Sequence, residues 1–215
     1  YAPLGTMYRM GIGTQIDLEK LIHWYERAAM SGDVETQFEL GMMYWAGNEI
    51  LPDKAKARML LQASADNGLD VGAYQFAMYL IELKEDPHLI TSYFIKSAKA
   101  DYIPGLFQAG RRIRRGVGAD IDLTQASLFL GKAAIAGNID AQYEYADMIR
   151  KGEGVKQDFK TAAKYFQLAA NSGNGPAMAA YASMLENGEG VITDFKKAAI
   201  WYEKALNSGV TNAAH

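Results

Sequence analysis

The sequence contains no cysteine in its 215 residues. That excludes disulfides, thiolate metal sites and cysteine nucleophiles, and it leaves secreted, periplasmic and cytoplasmic settings all open. No apolar run approaches the length of a membrane span. No basic-then-apolar leader opens these residues, so any targeting segment is expected to lie outside them. No Asn-x-Ser/Thr acceptor is present, which disfavours a glycosylated luminal protein. Charge of one sign does not dominate either. The net charge of −3 argues against nucleic acid as the main partner.

Catalytic signatures are missing as well. There is no Gly-x-Ser-x-Gly elbow and no Ser-x-x-Lys element. The Gly-rich stretch GEGVKQDFK lacks the Gly-Lys-Ser/Thr of a phosphate loop, and no strand precedes it. The three histidines, His23, His88 and His215, stand at no metal-ligand spacing from one another or from acidic residues. Carboxylate pairs such as Asp120 with Asp122, or Glu35 with Glu39, fit helix caps and solvated faces. No enzyme, cofactor or metal site is expected.

What the sequence does have is a repeat. Residues 138–173 recur 36 residues later as 174–209, recur 36 residues earlier as 102–137, and recur with drift toward the N-terminus. A fixed period of this size points to a stacked repeat architecture. Within 138–173, Ala141, Tyr145, Met148 and Ile149 have helical spacing. Gly152-Glu153-Gly154 stops that first helix, here called helix A. Asp158 starts a second, helix B, whose apolar face is Ala162, Ala163, Phe166, Ala169 and Ala170. Gly173 closes it.

The same positions run through the chain. A small residue in mid-helix A is Gly5, Gly41, Ala77, Gly110, Ala146 and Ala182, which lets neighbouring helices approach. The turn glycine is Gly11, Gly47, Gly116, Gly152 and Gly188. The helix-B cap is Asp17, Asp53, Asp122, Asp158 and Asp194. Trp24-Tyr25, Leu60-Leu61, Tyr93-Phe94, Phe129-Leu130, Tyr165-Phe166 and Trp201-Tyr202 form the helix-B pair. The expected units are 1–32, 33–68, 69–101, 102–137, 138–173 and 174–209, with 210–215 opening a seventh, so a fragment of a longer array is expected. The third unit is three residues short, and its turn carries Asp86-Pro87 instead of Gly-x-Gly, so a reshaped turn is expected there. Glu49 replaces the second turn glycine of the second unit.

This pattern of small residue, Met-Tyr, Gly-x-Gly-Val, Asp, Lys-Ala, aromatic pair, Ala-Ala and Gly resembles the Sel1-like repeat, a relative of the tetratricopeptide repeat. The resemblance covers the whole chain and is strongest over residues 138–209, where GEGV occurs twice. It implies an all-α fold, a right-handed α-solenoid of about six helix-turn-helix repeats, with helix A lining a concave face. It also implies adaptor or scaffold work, often in host contact, envelope assembly or membrane-protein quality control. A self-assembling structural module of an envelope or membrane-associated complex, a homo-oligomer through uncapped ends, is the alternative. A β-lactam-binding hydrolase, as suggested for cysteine-rich relatives, is remote because their cysteines are absent.

Two helix-A positions, one and four after the small residue, vary between units. In order they are Thr6 and Arg9, Met42 and Trp45, Met78 and Ile81, Arg111 and Arg114, Asp147 and Arg150, Ser183 and Glu186. A spacing of three puts each pair on one side of its helix. Phe38, Tyr74 and Phe107 recur three residues before the small residue, where packing is the simpler reading. Together with the variable positions they make the expected protein-binding groove, apolar in the second and third units and basic in the fourth and fifth. The basic part draws on Arg111, Arg112, Arg114 and Arg115, with Arg150 and Lys151 one repeat on. Read as a solvated face, it pairs with neighbours such as Asp147. Read as a binding face, it takes carboxylates. The expected partner is a protein or peptide with an apolar anchor over Trp45 and an acidic segment over Arg111, Arg114 and Arg150.

Overall fold

The computed structural model describes residues 1–209; the expected seventh unit, 210–215, lies outside the described residues. Twelve α-helices and no strand occur among the described residues. They are α1 (Ala2–Met10), α2 (Leu18–Met30), α3 (Val34–Ala46), α4 (Lys54–Asp66), α5 (Asp70–Glu82), α6 (Pro87–Lys99), α7 (Ile103–Arg115), α8 (Leu123–Ile135), α9 (Ile139–Lys151), α10 (Phe159–Asn171), α11 (Gly175–Asn187) and α12 (Phe195–Asn207). Odd-numbered helices are the A helices and even-numbered ones the B helices, so the chain is an all-α solenoid of helix pairs. It divides into two compact units, Tyr1–Tyr102 and the part from Ile103 onward.

Local chemistry sets the helix boundaries. Each expected aspartate caps its B helix. Asp17 accepts from the Lys20 amide at 3.0 Å, Asp122 from Gln125 at 2.9 Å and Asp158 from Thr161 at 3.1 Å. Asp53 accepts from both Ala55 and Lys56, and Asp194 from Lys197. Such a bond satisfies one of the amides that a helix start leaves unpaired, typically a stabilisation of about 1 kcal/mol. The turn without Gly-x-Gly keeps this device. Asp86 accepts from the His88 amide at 3.1 Å, and Pro87 takes the first helical position, where its missing N–H costs nothing. Lys84 supplies the left-handed residue there, at φ 56°. The turn is therefore rebuilt from other residues rather than lost.

In the first unit Leu21, Leu40, Leu61, Phe76, Leu80 and Phe94 are fully buried. In the second, Leu130, Met148, Phe166 and Met184 are, and Phe166 packs among the alanines of α10 and against Tyr143 of α9. The mid-helix-A small residue has the expected role. A Cβ on Gly110 would lie 2.8 Å from Leu130 Cγ, and one on Gly41 would lie 2.9 Å from Leu61 Cγ. Helices A and B of one repeat touch at these points.

The second turn glycine does something the sequence does not announce. Gly154 sits at φ +67°, and a Cβ there would lie 1.9 Å from the Leu123 carbonyl oxygen, in the first turn of α8. Gly190 repeats the arrangement, with a Cβ 2.2 Å from the Phe159 carbonyl carbon, at the start of α10. The A–B turn of one repeat is thus seated on the N-terminus of the preceding B helix. The Ser127 hydroxyl donates to the Gly154 carbonyl at 3.0 Å and ties the seat from below.

Candidate functional site

The groove candidates all lie on A helices: Phe38, Met42 and Trp45 on α3, Tyr74, Met78 and Ile81 on α5, Phe107, Arg111 and Arg114 on α7, Asp147 and Arg150 on α9, and Glu186 on α11. Ile81 and Glu186 are exposed; the other ten are half-buried. Tyr74 packs on Phe94 and Tyr102, so this member of the recurring aromatic set belongs largely to packing. The Arg111 guanidinium lies over the Phe107 ring.

In the first unit, position four after the small residue reaches the next repeat. Arg9 on α1 pairs with Glu49 in the turn after α3. Trp45 on α3 donates its indole N–H to Glu82 on α5 at 2.8 Å and meets the Tyr79 ring edge-on, with 5.3 Å between centroids. A depression of about 380 Å³ remains beside the Arg9–Glu49 pair, with Phe38 and Met42 on its wall.

In the second unit the same position carries Arg114, whose side chain is only 13% exposed. It donates to Glu144 at 2.7 Å, to Asp147 at 2.6 Å and to Glu153 at 2.7 Å. Arg115 also reaches Glu144, at 2.8 Å, and Arg111 approaches it at 3.8 Å. Arg150 and Lys151 pair with Asp147 from within α9. Burial alone would lower the Arg114 pKa, but its bonds to Asp147 and Glu153 outweigh that and hold it above the usual guanidinium value. Burial likewise pushes Asp147 up, and the bonds from Lys151, Arg114 and Arg150 more than reverse it, leaving its carboxyl below the usual range. Arg114 is therefore held by three carboxylates of its own chain, whereas Arg111 and Arg115 keep much of their surface in water. Among the described residues no group of three acidic or histidine side chains is arranged to hold a metal ion.

The Sel1 repeat family matches residues 4–33, 34–69, 139–174 and 175–210, well over half of the chain. The chain belongs to the Sel1 repeat family. Sel1 repeats are in general protein–protein interaction modules. Among solved structures, a protective antigen of uropathogenic Escherichia coli strains, described as displaying an SLR fold, superposes with a TM-score of 0.84 at 28% identity, covering 99% of this chain and 46% of that one. A Sel1 repeat protein from Oxalobacter formigenes gives a TM-score of 0.68 at 29% identity, covering 99% of this chain and 62% of that one. The chain thus spans about half to three-fifths of the length of these two relatives. A search of curated proteins finds no match. No helix among the described residues is long and apolar enough to cross a membrane.

In this Sel1 chain, position four is matched to the next repeat at Arg9, Trp45 and Arg114. Arg9 with Glu49 and Arg114 with Glu153 are similar latches, built 40 and 39 residues apart in sequence, with Glu49 at the second turn-glycine position and Glu153 one position before it. Arg150 and Glu189 occupy the positions of Arg114 and Glu153 one repeat on. That pair does not close. Arg150 turns to Asp147 instead, and its buried Nε has no partner.

The Arg114 cluster makes a pH prediction. The folded-state pKa of Asp147 lies below its unfolded value, so the folded state is favoured whenever the carboxyl is ionised. This contribution is complete above the ordinary aspartate pKa, about 3.9, and is lost as pH falls through the lower folded value. Asp147→Asn should melt below the parent at about pH 6, and the gap should narrow as pH falls below the ordinary aspartate value and through the lower folded one. A gap independent of pH would refute the electrostatic reading of the cluster.

Proposed function

We propose that this chain is a non-catalytic protein-interaction scaffold whose A-helix face holds segments of a partner protein. In the first unit the reading is an apolar anchor over Phe38, Met42, Trp45, Met78 and Ile81. In the second it is an acidic stretch over Arg111 and Arg115, with Arg114 and Asp147 positioning them rather than meeting the partner. The observation that carries the proposal is what the inter-repeat latches leave over. Met42, Met78 and Arg111, one position after the small residue, and the exposed Ile81 stay accessible on this face. Accessible apolar residues grouped on one face mark partner sites, and arginine is enriched in interface hot spots.

The charge census supports the second half. Five cations (Arg111, Arg114, Arg115, Arg150 and Lys151) share three carboxylates, Glu144, Asp147 and Glu153. The excess is positive. A cleft of about 240 Å³ has Arg111, Arg112 and Arg115 on its wall, beside Gln108 and Val117. Carboxylates fit guanidinium forks in a bidentate manner, which favours an acidic peptide.

Ile81→Glu should weaken capture of the partner by roughly 2 kcal/mol if the anchor sits there. It is a better probe than Trp45→Ala, which would also break the bond to Glu82 and the contact with Tyr79. Arg111→Glu should slow association at low salt, and the difference from the parent should shrink as salt screens it. Equal capture by both folded variants and the parent would move the binding surface off the A-helix face.

A further inference from the structure

An apolar cavity lies off the A-helix face. It is a slot of about 450 Å³ between α2 and α4, floored by α3. Ala29 and Met30 form one wall, Met59, Leu60 and Ala63 the other, and Leu40 the floor. The repeat explains why the slot is open here. The positions of Met30 and Ala63 correspond, one repeat on, to Asp66 and Lys96, which form an ion pair at 2.8 Å across the gap between α4 and α6. The first gap has lost both charges. At the position of Ala63 the other repeats carry Arg27, Lys96, Lys132, Leu168 and Lys204, so Ala63 is the one small side chain in the set.

The polar groups around the slot are bonded to one another. Glu26 accepts from Lys56 at 2.8 Å and from the Tyr44 hydroxyl at 3.1 Å, closing one end. The Gln37 amide donates to the Ala29 carbonyl at 3.0 Å and accepts from Asn67 at 3.1 Å. An occupant that brought a charge into the slot would leave it unpaired, which is costly. Charge matching therefore requires an uncharged, apolar insert. Met30 is 88% exposed and Met59 62% exposed, so the slot is open along its rim. A small molecule would leave much of its own surface in water there. A helix laid along the opening would cover both methionines, whose flexible thioethers adapt to a partner's side chains.

We propose that this slot on the B-helix face is a second protein-docking site, taking the uncharged apolar stripe of an amphipathic helix from a partner protein. The mode is a helix in a groove, with apolar anchors at i, i+3 or i+4, and i+7. It goes beyond the A-helix reading and does not depend on it.

The test is display selection of helical peptides of about 18 residues, long enough to hold a helix in water, against the parent protein. The paired variant Met30→Asp with Ala63→Lys serves as comparator. It installs the pair already present as Asp66 and Lys96, so it should fold; ¹³C-labelled methionine methyl signals report both folding and location. The expected result is enriched peptides with an uncharged apolar stripe, shifts at Met30 and Met59, and affinity lowered about 30-fold by the paired variant, the size of a hot-spot loss. Peptides that bind the paired variant equally, or that lose binding to Ile81→Glu instead, occupy another surface and overturn the proposal. So would a failure to enrich any peptide, or a saturable shift with a neutral naphthalene probe in that case, which would mark a small-molecule site.

Discussion

Gly154→Val should destabilise the second unit by roughly 3–5 kcal/mol, well beyond the cost of an ordinary turn substitution. Two effects add. A β-branched residue at φ +67° is strained in its own backbone, and its Cβ would enter the Leu123 carbonyl at the start of α8. The second effect involves main-chain atoms, which no rotamer change relieves, so the turn must lift off the preceding repeat. Alanine separates the two contributions. Gly173 is also left-handed, at φ +93°, but a Cβ there meets nothing within 4 Å. Gly173→Ala should cost on the order of 1 kcal/mol, by strain alone. Gly154→Ala should cost clearly more, and the difference measures the seat between repeats. Equal losses in urea unfolding would show that the seat gives way freely.

Arg114→Ala should cost roughly 3 kcal/mol, because it removes the shared cation from three carboxylates, two of them with side chains no more than 15% exposed. Glu144 and Asp147 would then repel each other in a partly dry site. Arg115→Ala is the matched control. Arg115 contacts Glu144 from a side chain 49% exposed, and an ion pair of that kind is worth less than about 1 kcal/mol. Arg114→Lys should fall between the two, since a single ammonium lacks the planar fork that reaches Glu144, Asp147 and Glu153 together. Hydrogen exchange should place the loss at α7 and α9. If Arg114→Ala and Arg115→Ala were equally mild, the cluster would be a solvated face after all.

These effects mark how far sequence reading reaches. The repeat length, the aspartate caps and the small residue in helix A are local and periodic, and each was legible. Asp158 announces itself by standing just before an apolar stripe, wherever it occurs. The Arg114 latch was not legible. Its partners lie 30 to 39 residues away, and α3 fills the same position with a different pairing, Trp45 with Glu82. No single-repeat pattern contains both halves. At Arg9, Trp45 and Arg114, variation at position four therefore resembled freedom when it was matching, and Arg114 entered the expected groove although most of its N–H donors are used inside the chain. A signal was present in retrospect: Glu49 and Glu153 both stand in the A–B turn, one repeat after an arginine at position four. The contact of Gly154 with Leu123 was hidden for another reason. Sequence shows that a glycine is needed for its φ, but not that another main chain occupies the space beside it.

The central claim is that the A-helix face holds a partner, and site-specific photo-crosslinking tests it most directly. A photoreactive side chain placed at Met78 or Arg111 should crosslink the partner captured by the protein, whereas one at Leu128, exposed on the B-helix side of α8, should not. Crosslinks from Leu128 with none from Met78 or Arg111 would contradict the account.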